Sequence, residues 1–269
     1  MICFPNAKIN LGLNIINKRP DGYHNIETIF YPIPIKDALE AVPADRDSFH
    51  ATGIPIDAPT EKNLVMKALN MLRIRNTIPP MEVHLMKKIP FGAGLGGGSS
   101  DAAFMLKLIN ELCGLNYNIQ RLETLAASIG ADCPFFVKNT PVFASGIGNK
   151  FDSIDLSLSG YYLCLVKPDI AVSTPEAYSM VTPQEPEISL KEIIKMPVSE
   201  WKDIMINDFE YSVFSKHPMI GLIKETLYEA GALYASMSGS GSSVFGIFDK
   251  PPHIKDEYST YFVWEGQLS

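Results

Sequence analysis

The sequence has no excess of basic residues, and this limits the partners that it can bind. Among 269 residues there are 23 lysines and arginines against 30 aspartates and glutamates, so the formal net charge is −7. Nucleic acids and anionic membrane surfaces attract proteins through a basic field. We therefore expect neither as a partner, whereas a local site for one phosphorylated small molecule is compatible with the composition.

Cysteine pairs and long apolar runs are missing as well. The four cysteines form no CxxC pair and no metal-ligand spacing with histidine, so we expect reduced thiols in a cytoplasmic protein. The N-terminus lacks the apolar core of a signal peptide, and no run approaches the ~18–20 residues that cross a bilayer. Hydrophobic residues make up 46% of the chain, enough to bury a core. The tail after Lys250 shows no interface signature, and the sequence leaves a monomer or a weak homodimer open.

Alternating and helical patterns both occur, and together they predict an α+β fold in two domains. Residues 8–16 alternate apolar and polar side chains, which predicts a strand with one buried face and places Lys8 and Asn10 together on the other face. Asn63 precedes an apolar helical stripe and is expected to cap that helix. Further strands are predicted at 26–33, 38–42, 81–89, 161–167, 242–248 and 260–264, and further helices at 102–114, 118–130, from 174, at 208–218 and at 221–231. Around residues 152–160 the sequence becomes rich in Ser, Asp and Gly, which is typical of a domain boundary. We therefore predict domains at 1–155 and 156–269.

The stretch PFGAGLGGGSSDA (90–102) contains five glycines between a predicted strand and a predicted helix. Glycines allow consecutive backbone N–H groups to converge on an anion, and a helix N-terminus adds partial positive charge. Five glycines exceed what a turn requires, so we predict a phosphate site here. The serine hydroxyls are expected to cap the helix and contact the phosphate. The predicted site comprises Pro90, Phe91, Gly92, Ala93, Gly94, Leu95, Gly96, Gly97, Gly98, Ser99 and Ser100.

The common phosphate-binding motifs do not account for this loop. Gly92, Gly94 and Gly97 satisfy GxGxxG, but no acidic residue ends a second strand about 20 residues later, as a dinucleotide site requires. No lysine follows the glycines, which excludes a P-loop. The HRD and DFG segments of protein kinases are also missing.

Three motifs together resemble those of the GHMP kinases, the family of galactose, homoserine, mevalonate and phosphomevalonate kinases. They are FPNAKINLGLNI (4–15), the glycine loop and SMSGSGSSVFGIF (236–248), in the family's order and spanning nearly the whole chain. The resemblance implies transfer of the ATP γ-phosphoryl group to a small-molecule hydroxyl, with Mg²⁺ as cofactor. It also implies an N-terminal domain similar to domain 2 of ribosomal protein S5 and a ferredoxin-like C-terminal domain. No residue matches the glutamate that holds Mg²⁺ in the mevalonate branch, so no protein carboxylate is assigned to the metal, and its ligation is left to Ser99 or Ser100 and the phosphates.

The turn RPDGYH (19–24) and the segment GADCPFF (130–136) narrow the resemblance to one branch of the family. That branch phosphorylates the 2-hydroxyl of 4-diphosphocytidyl-2-C-methyl-D-erythritol in the non-mevalonate (methylerythritol phosphate) route of isoprenoid biosynthesis. A kinase for homoserine or mevalonate is the alternative within the family. A non-catalytic nucleotide-binding protein on the same fold is the alternative outside it.

The resemblance also implies roles for single residues. Asp132 accepts the proton of the substrate hydroxyl, and Lys8 keeps Asp132 ionised and stabilises the transferred group. Without the resemblance, Asp132 reads as a helix cap and Lys8 as a solvated strand lysine. The remaining implied contacts are Asn63 with the nucleotide, and Asn10, Tyr23, His24, Thr174 and Tyr178 with the substrate, where the aromatic rings stack on cytosine.

Overall fold

Twelve strands and eight α-helices are found in residues 1–55 and 59–269, the part of the chain that this computed structural model describes. The strands are β1 (Ile2–Cys3), β2 (Asn6–Lys18), β3 (His24–Lys36), β4 (Ala38–Pro43), β5 (Ser48–Gly53), β6 (Met81–Lys87), β7 (Val142–Ser145), β8 (Lys150–Ser153), β9 (Tyr162–Lys167), β10 (Tyr234–Met237), β11 (Val244–Phe248) and β12 (Phe262–Gln267). The helices are α1 (Leu64–Arg73), α2 (Gly97–Leu112), α3 (Ile119–Ala127), α4 (Phe135–Lys138), α5 (Thr174–Ala177), α6 (Leu190–Ile193), α7 (Phe209–Lys216) and α8 (Pro218–Glu229). The predicted α+β class is confirmed.

These elements form two compact units that are not consecutive in sequence. The first unit contains Met1–Ala7, Ile35–Phe91 and Gly96–Thr140, and the second contains Lys8–Pro34, Gly92–Leu95 and Pro141–Ser269. The chain therefore passes from one unit to the other several times. This division follows spatial contacts, so the predicted boundary after residue 155 stays a prediction about sequence domains.

The first unit is built on a four-stranded sheet in the order β1-β4-β6-β5. The pairs β1–β4 and β4–β6 are antiparallel, whereas β5 runs parallel to β6. Helix α1 packs against α2, and its start is capped as expected, since Asn63 Oδ1 accepts a hydrogen bond from Val65 N at 2.9 Å. Strand β5 was not predicted because its sequence, SFHATG, is largely exposed and carries no alternating apolar pattern.

The second unit contains two four-stranded sheets, ordered β2-β3-β7-β8 and β10-β11-β9-β12. Helices α7 and α8 pack on the second sheet, where Val213 and Ile223 belong to one buried cluster with Val166 and Val244. The strand pairs of that second sheet are all antiparallel. A helix layer on one face of an antiparallel sheet is a standard way to bury that face.

Strand β2 departs from the expectation of a single buried face. It is longer than predicted, and its polar side chains are buried along with the apolar ones. Lys8 is 4% exposed and Asn10 is 3% exposed, against 0% for Ile9. The alternating pattern correctly assigned polar and apolar side chains to opposite faces of the strand. It could not show that the polar face is buried, because polar groups are buried only where the fold supplies hydrogen-bond partners.

Candidate active site

The glycine loop connects β6 to α2 through a backbone that only glycine adopts readily. The φ angles are +56° at Gly92, +72° at Gly94 and +68° at Gly96, all in the left-handed region. Helix α2 begins at Gly97 with Gly96 as its N-cap, and among the described residues no side chain caps it. The expectation that Ser99 or Ser100 caps the helix is therefore wrong, because both serines already lie within its first turn.

The position of Ser100 fits a phosphate at this helix end. Its side chain is fully buried, and in the described part of the chain its hydroxyl Oγ has no hydrogen-bond partner. A buried hydroxyl without a partner is unfavourable by about 1–3 kcal/mol. A phosphate oxygen at the N-terminus of this 16-residue helix would supply the missing partner.

Asp132 lies in the first unit, half-buried, in the turn before α4. The cap of α4 is Pro134, and no side chain in the described region caps that helix, so Asp132 is not its cap. Ser99 hydrogen-bonds the thiol of Cys133. Burial raises the pKa of that thiol to about 11, the bond from Ser99 lowers it, and the charge of Asp132 raises it. The first turn of α2 and the segment GADCPFF therefore meet.

In the second unit, Lys8 belongs to a polar network that starts on β2. Its Nζ donates to Asn10 Oδ1 at 2.5 Å and to the carbonyl oxygen of Gly94 at 3.0 Å. Asn10 Nδ2 in turn donates to Thr28 Oγ1 at 3.0 Å on β3. The same ammonium group lies 4.7 Å from the centre of the Phe30 ring. The substrate contact predicted for Asn10 stays a prediction; the structure shows that Asn10 accepts a hydrogen bond from Lys8.

Gly94 is in close contact with the loop between β10 and β11, which contains the third glycine-rich motif. A Cβ atom at Gly94 would lie 1.8 Å from the carbonyl oxygen of Ser238, so no other residue fits there. Ser238 Oγ donates to the carbonyl oxygen of Gly94 at 2.8 Å and accepts from Asn10 N at 3.1 Å. The first motif, the middle of the glycine loop and the third motif thus form one hydrogen-bonded network around Lys8.

Asn207 supports this network and was missed by the sequence analysis. It is 3% exposed, and its Nδ2 donates to the carbonyl oxygens of Met237 and Gly239 at 2.8 and 2.9 Å. Its Oδ1 accepts from Phe209 N at 3.0 Å. An asparagine just before a helix reads as a local cap, and no sequence pattern indicates that its amide group holds a loop 30 residues away.

The predicted cytosine-binding residues are brought together in part. The rings of His24 and Tyr178 stack directly, with centroids 4.6 Å apart and an interplanar angle of 21°, and Tyr178 packs edge-on against Phe209. This spacing leaves no room for a base between the two rings. Tyr23 is 62% exposed and so presents a free face. Thr174 is the exposed first residue of α5, which Ser173 caps.

Comparison with known proteins identifies the family. Residues 63–140 match the model of the GHMP kinases N terminal domain, and residues 190–263 match that of the GHMP kinases C terminal region. The chain is 71% identical, over the full length of both proteins, to a 4-diphosphocytidyl-2-C-methyl-D-erythritol kinase of Parabacteroides distasonis. The chain belongs to the GHMP kinase family.

Solved structures agree with the fold of this GHMP kinase. A crystal structure of 4-(cytidine 5'-diphospho)-2C-methyl-D-erythritol kinase superposes with a TM-score of 0.86 at 30% identity, covering 100% of this chain and 99% of the other. A homoserine kinase from Cytophaga hutchinsonii superposes with a TM-score of 0.64 at 18% identity, covering 98% and 94%. The second likeness concerns the fold alone. Within the described residues, no helix of the chain is long and apolar enough to cross a membrane.

Proposed function

We propose that this GHMP kinase transfers the γ-phosphoryl group of ATP to the 2-hydroxyl of 4-diphosphocytidyl-2-C-methyl-D-erythritol, a step in the methylerythritol phosphate route of isoprenoid biosynthesis. The observation that carries the proposal is the 71% identity, over both full lengths, to a relative of that name. The PDGYH turn and the pair Lys8 and Asp132 of this chain agree with it.

The glycine loop supports ATP as the phosphoryl donor. The left-handed backbone at the glycines allows N–H groups to converge on an anion. Among the described residues, the buried hydroxyl of Ser100 has no hydrogen-bond partner, and a phosphate oxygen would provide one. Mg²⁺, when bound with ATP, neutralises phosphate charge. Among the described residues, no group of three or more His, Cys, Asp or Glu side chains is placed to hold a metal. In this proposal the phosphates therefore provide the ion's main ligands.

Asp132 is proposed to accept the proton of the 2-hydroxyl, and Lys8 to stabilise the negative charge that develops on the transferred group. The support for Lys8 is its orientation by Asn10 and Gly94, which fixes the ammonium position before substrate binds. The support for Asp132 is that its segment meets the first turn of α2 through the Ser99–Cys133 contact.

Replacement of the proton acceptor tests this assignment. Asp132→Asn should lower kcat by roughly 10³-fold, within the 10²–10⁴-fold range of general acid–base catalysis. The thermal unfolding midpoint should stay close to that of the parent protein. The matched control is Asp155→Asn, an exposed aspartate that should keep full turnover. Turnover by Asp132→Asn within tenfold of the parent would remove Asp132 from the mechanism.

The proposed cytosine contact uses Tyr23 first and the His24–Tyr178 pair second. Tyr23 is exposed at the turn, so a cytosine ring can stack on it without displacing another side chain. The rings of His24 and Tyr178 already stack on each other, so a base cannot insert between them. The pair can therefore contact cytosine only through an outer ring face. Thr174 is proposed as a nearby hydroxyl contact.

An acceptor panel tests the function itself. Purified protein with ATP and Mg²⁺ should release ADP with 4-diphosphocytidyl-2-C-methyl-D-erythritol, and much more slowly with homoserine or mevalonate. Phosphorus NMR of the product should show a phosphomonoester on the 2-hydroxyl. ADP release that depends on homoserine or mevalonate instead would replace the proposed substrate. ATP binding without transfer to any of these acceptors would favour the non-catalytic alternative.

A further inference from the structure

Three charged side chains form a buried cluster inside the first unit, and the phosphoryl-transfer mechanism makes no use of them. Lys87, Asp37 and Asp101 are each at most 2% exposed. Lys87 Nζ donates to Asp37 Oδ2 and, at 2.8 Å, to Asp101 Oδ2. Two carboxyl groups therefore share one ammonium group in the interior.

The cluster joins the two ends of the glycine loop. Lys87 is the last residue of β6, three positions before Pro90, and Asp101 directly follows Ser100 in α2. A Cβ atom on Gly97 would lie only 3.1 Å from Lys87 Nζ, so the ammonium group lies directly against the first turn of the helix. The same ammonium group is 4.9 Å from the centre of the Phe91 ring at the start of the loop.

Asp37 holds the segment that leads into the loop. Its Oδ1 accepts hydrogen bonds from the backbone N–H groups of Lys88 and Ile89, at 2.5 and 2.8 Å. With Lys87 on its other oxygen, Asp37 makes three hydrogen bonds to three consecutive residues. A carboxylate in this position fixes the backbone direction where the strand ends.

The cluster is an unfavourable way to fill a protein interior. Buried ion pairs lose hydration, and apolar side chains of similar volume often give equal or greater stability. Asp101 Oδ1 is buried and has no hydrogen-bond partner among the described residues. Burial raises the pKa of the Asp101 carboxyl, the Lys87 ammonium opposes that rise, and Asp37 adds to it. A contribution to stability therefore does not explain why the cluster is present. A role in fixing the backbone direction at both ends of the glycine loop does explain it.

We propose that Lys87, Asp37 and Asp101 are positioning residues that hold the glycine loop in the shape that binds the nucleotide phosphates. The inference rests on the proposed function, because it assigns the loop to ATP. It makes a selective claim: weakening the cluster weakens nucleotide binding and leaves binding of the cytidine substrate intact. It also assigns the two aspartates different requirements. Asp37 needs both carboxylate oxygens, whereas an amide at position 101 keeps the one oxygen that Lys87 uses.

The test compares four variants of the full-length protein: Asp37→Asn, Asp101→Ala, Asp101→Asn and Asp47→Asn. Asp47 is the matched control, because it accepts from Met81 N at the opposite end of β6 and pairs with Arg73. For each variant, the Kd of ADP is measured by titration calorimetry, and KM is measured for ATP and for the cytidine substrate. Unfolding midpoints show the folded fraction at assay temperature.

Asp37→Asn and Asp101→Ala should each raise the Kd of ADP and the KM for ATP by about tenfold or more. The KM for the cytidine substrate should stay within twofold. Asp101→Asn should recover most of the loss, and Asp47→Asn should bind ADP like the parent. If Asp37→Asn does not fold, the comparison of alanine with asparagine at position 101 decides.

Two results would overturn the inference. The first is a parent-like Kd of ADP in Asp101→Ala, whatever its stability. The second is an equal loss for ADP and for the cytidine substrate, which indicates a general structural role. A parent protein that binds ADP but releases none with the cytidine substrate would reject the proposed acceptor and leave the nucleotide comparison intact. A parent that binds no ADP would reject both proposals.

Discussion

Two lysines are buried to a similar degree, Lys8 in the second unit and Lys87 in the first, but their hydrogen-bond acceptors differ. Lys87 is 1% exposed and pairs with the carboxyl groups of Asp37 and Asp101. Lys8 is 4% exposed and donates to two neutral oxygens, those of the Asn10 amide and the Gly94 carbonyl. The described acceptors of Lys8 lie in the first motif and in the glycine loop, whereas those of Lys87 are the carboxyl groups of Asp37, between β3 and β4, and of Asp101, on α2. The comparison teaches that the place of a buried lysine's acceptors in the fold, more than its burial, indicates whether the lysine acts on the substrate or holds the backbone.

Among changes to the hydrogen-bond partners of Lys8, the largest effect is expected from the glycine whose carbonyl oxygen accepts from it. Gly94→Ala should lower kcat by about 100-fold or more, because the new Cβ cannot lie 1.8 Å from the Ser238 carbonyl and the loop must move away from Lys8. Displacements of about 1 Å can reduce turnover by roughly 10²-fold. Steady-state kinetics at saturating substrates measures the change.

The control for this change is Gly114→Ala, which has a similar left-handed backbone, φ +60°, and no described atom within 4 Å of an added Cβ. It shares the conformational strain, roughly 1–2 kcal/mol, but lies outside the network. Equal losses of turnover in the two variants would mean that backbone strain, not the displaced carbonyl, causes the effect.

A smaller effect is expected from the amide that orients Lys8. Asn10→Ala removes the acceptor at 2.5 Å and should lower kcat by roughly 10–100-fold, in line with about 1.5–3 kcal/mol for a hydrogen bond to a charged group. Asn14→Ala, on the same strand and 5% exposed, is the matched control and should retain turnover. If Asn10→Ala changed only the KM for substrate, Asn10 would be a substrate contact without an orienting role.

The smallest expected effect concerns substrate binding in the second unit. Tyr23→Ala should raise the KM for the cytidine substrate by about tenfold, since stacking of a base on an aromatic ring contributes roughly 1–3 kcal/mol. The KM for ATP should change less than twofold. Tyr211→Ala, which removes another exposed tyrosine of the second unit, controls for loss of surface area. Equal changes for both substrates would remove the stacking role.

Much of the fold follows from local patterns in the sequence. The alternating side chains of β2 and β6, the cap at Asn63 and the stripe of α2 are local signals, and the structure contains each element. Strand β5 and the short helix α6 were missed because neither carries enough periodic apolar residues.

Residues of the candidate site could be predicted from the sequence only where they belong to a recognisable motif. Thr28, Asn207 and the cluster of Lys87 act through partners that are distant in sequence, such as Asp37, 50 residues from Lys87. Hydrogen bonds between residues distant in sequence produce no periodic pattern. Each of these residue types is also common at such a position, so none of them stands out in the sequence. The burial of Lys8 was missed for the same reason: its partners include a carbonyl from the glycine loop.

The central claim is that Lys8 acts in phosphoryl transfer, whereas Lys87 holds the backbone of the glycine loop. The most direct test compares Lys8→Met with Lys87→Met by denaturant unfolding and by turnover at saturating ATP. Lys8→Met should lower kcat by roughly 10²–10³-fold, as loss of a charge-stabilising group does, and should lower the free energy of unfolding by about 1–3 kcal/mol, because the buried Asn10 Oδ1 loses its donor. Lys87→Met should lower the free energy of unfolding by about 3–5 kcal/mol, because it leaves two buried carboxyl groups without their cation, and its kcat should fall less than tenfold. A Lys8→Met variant that turns over like the parent and loses as much stability as Lys87→Met would contradict the account.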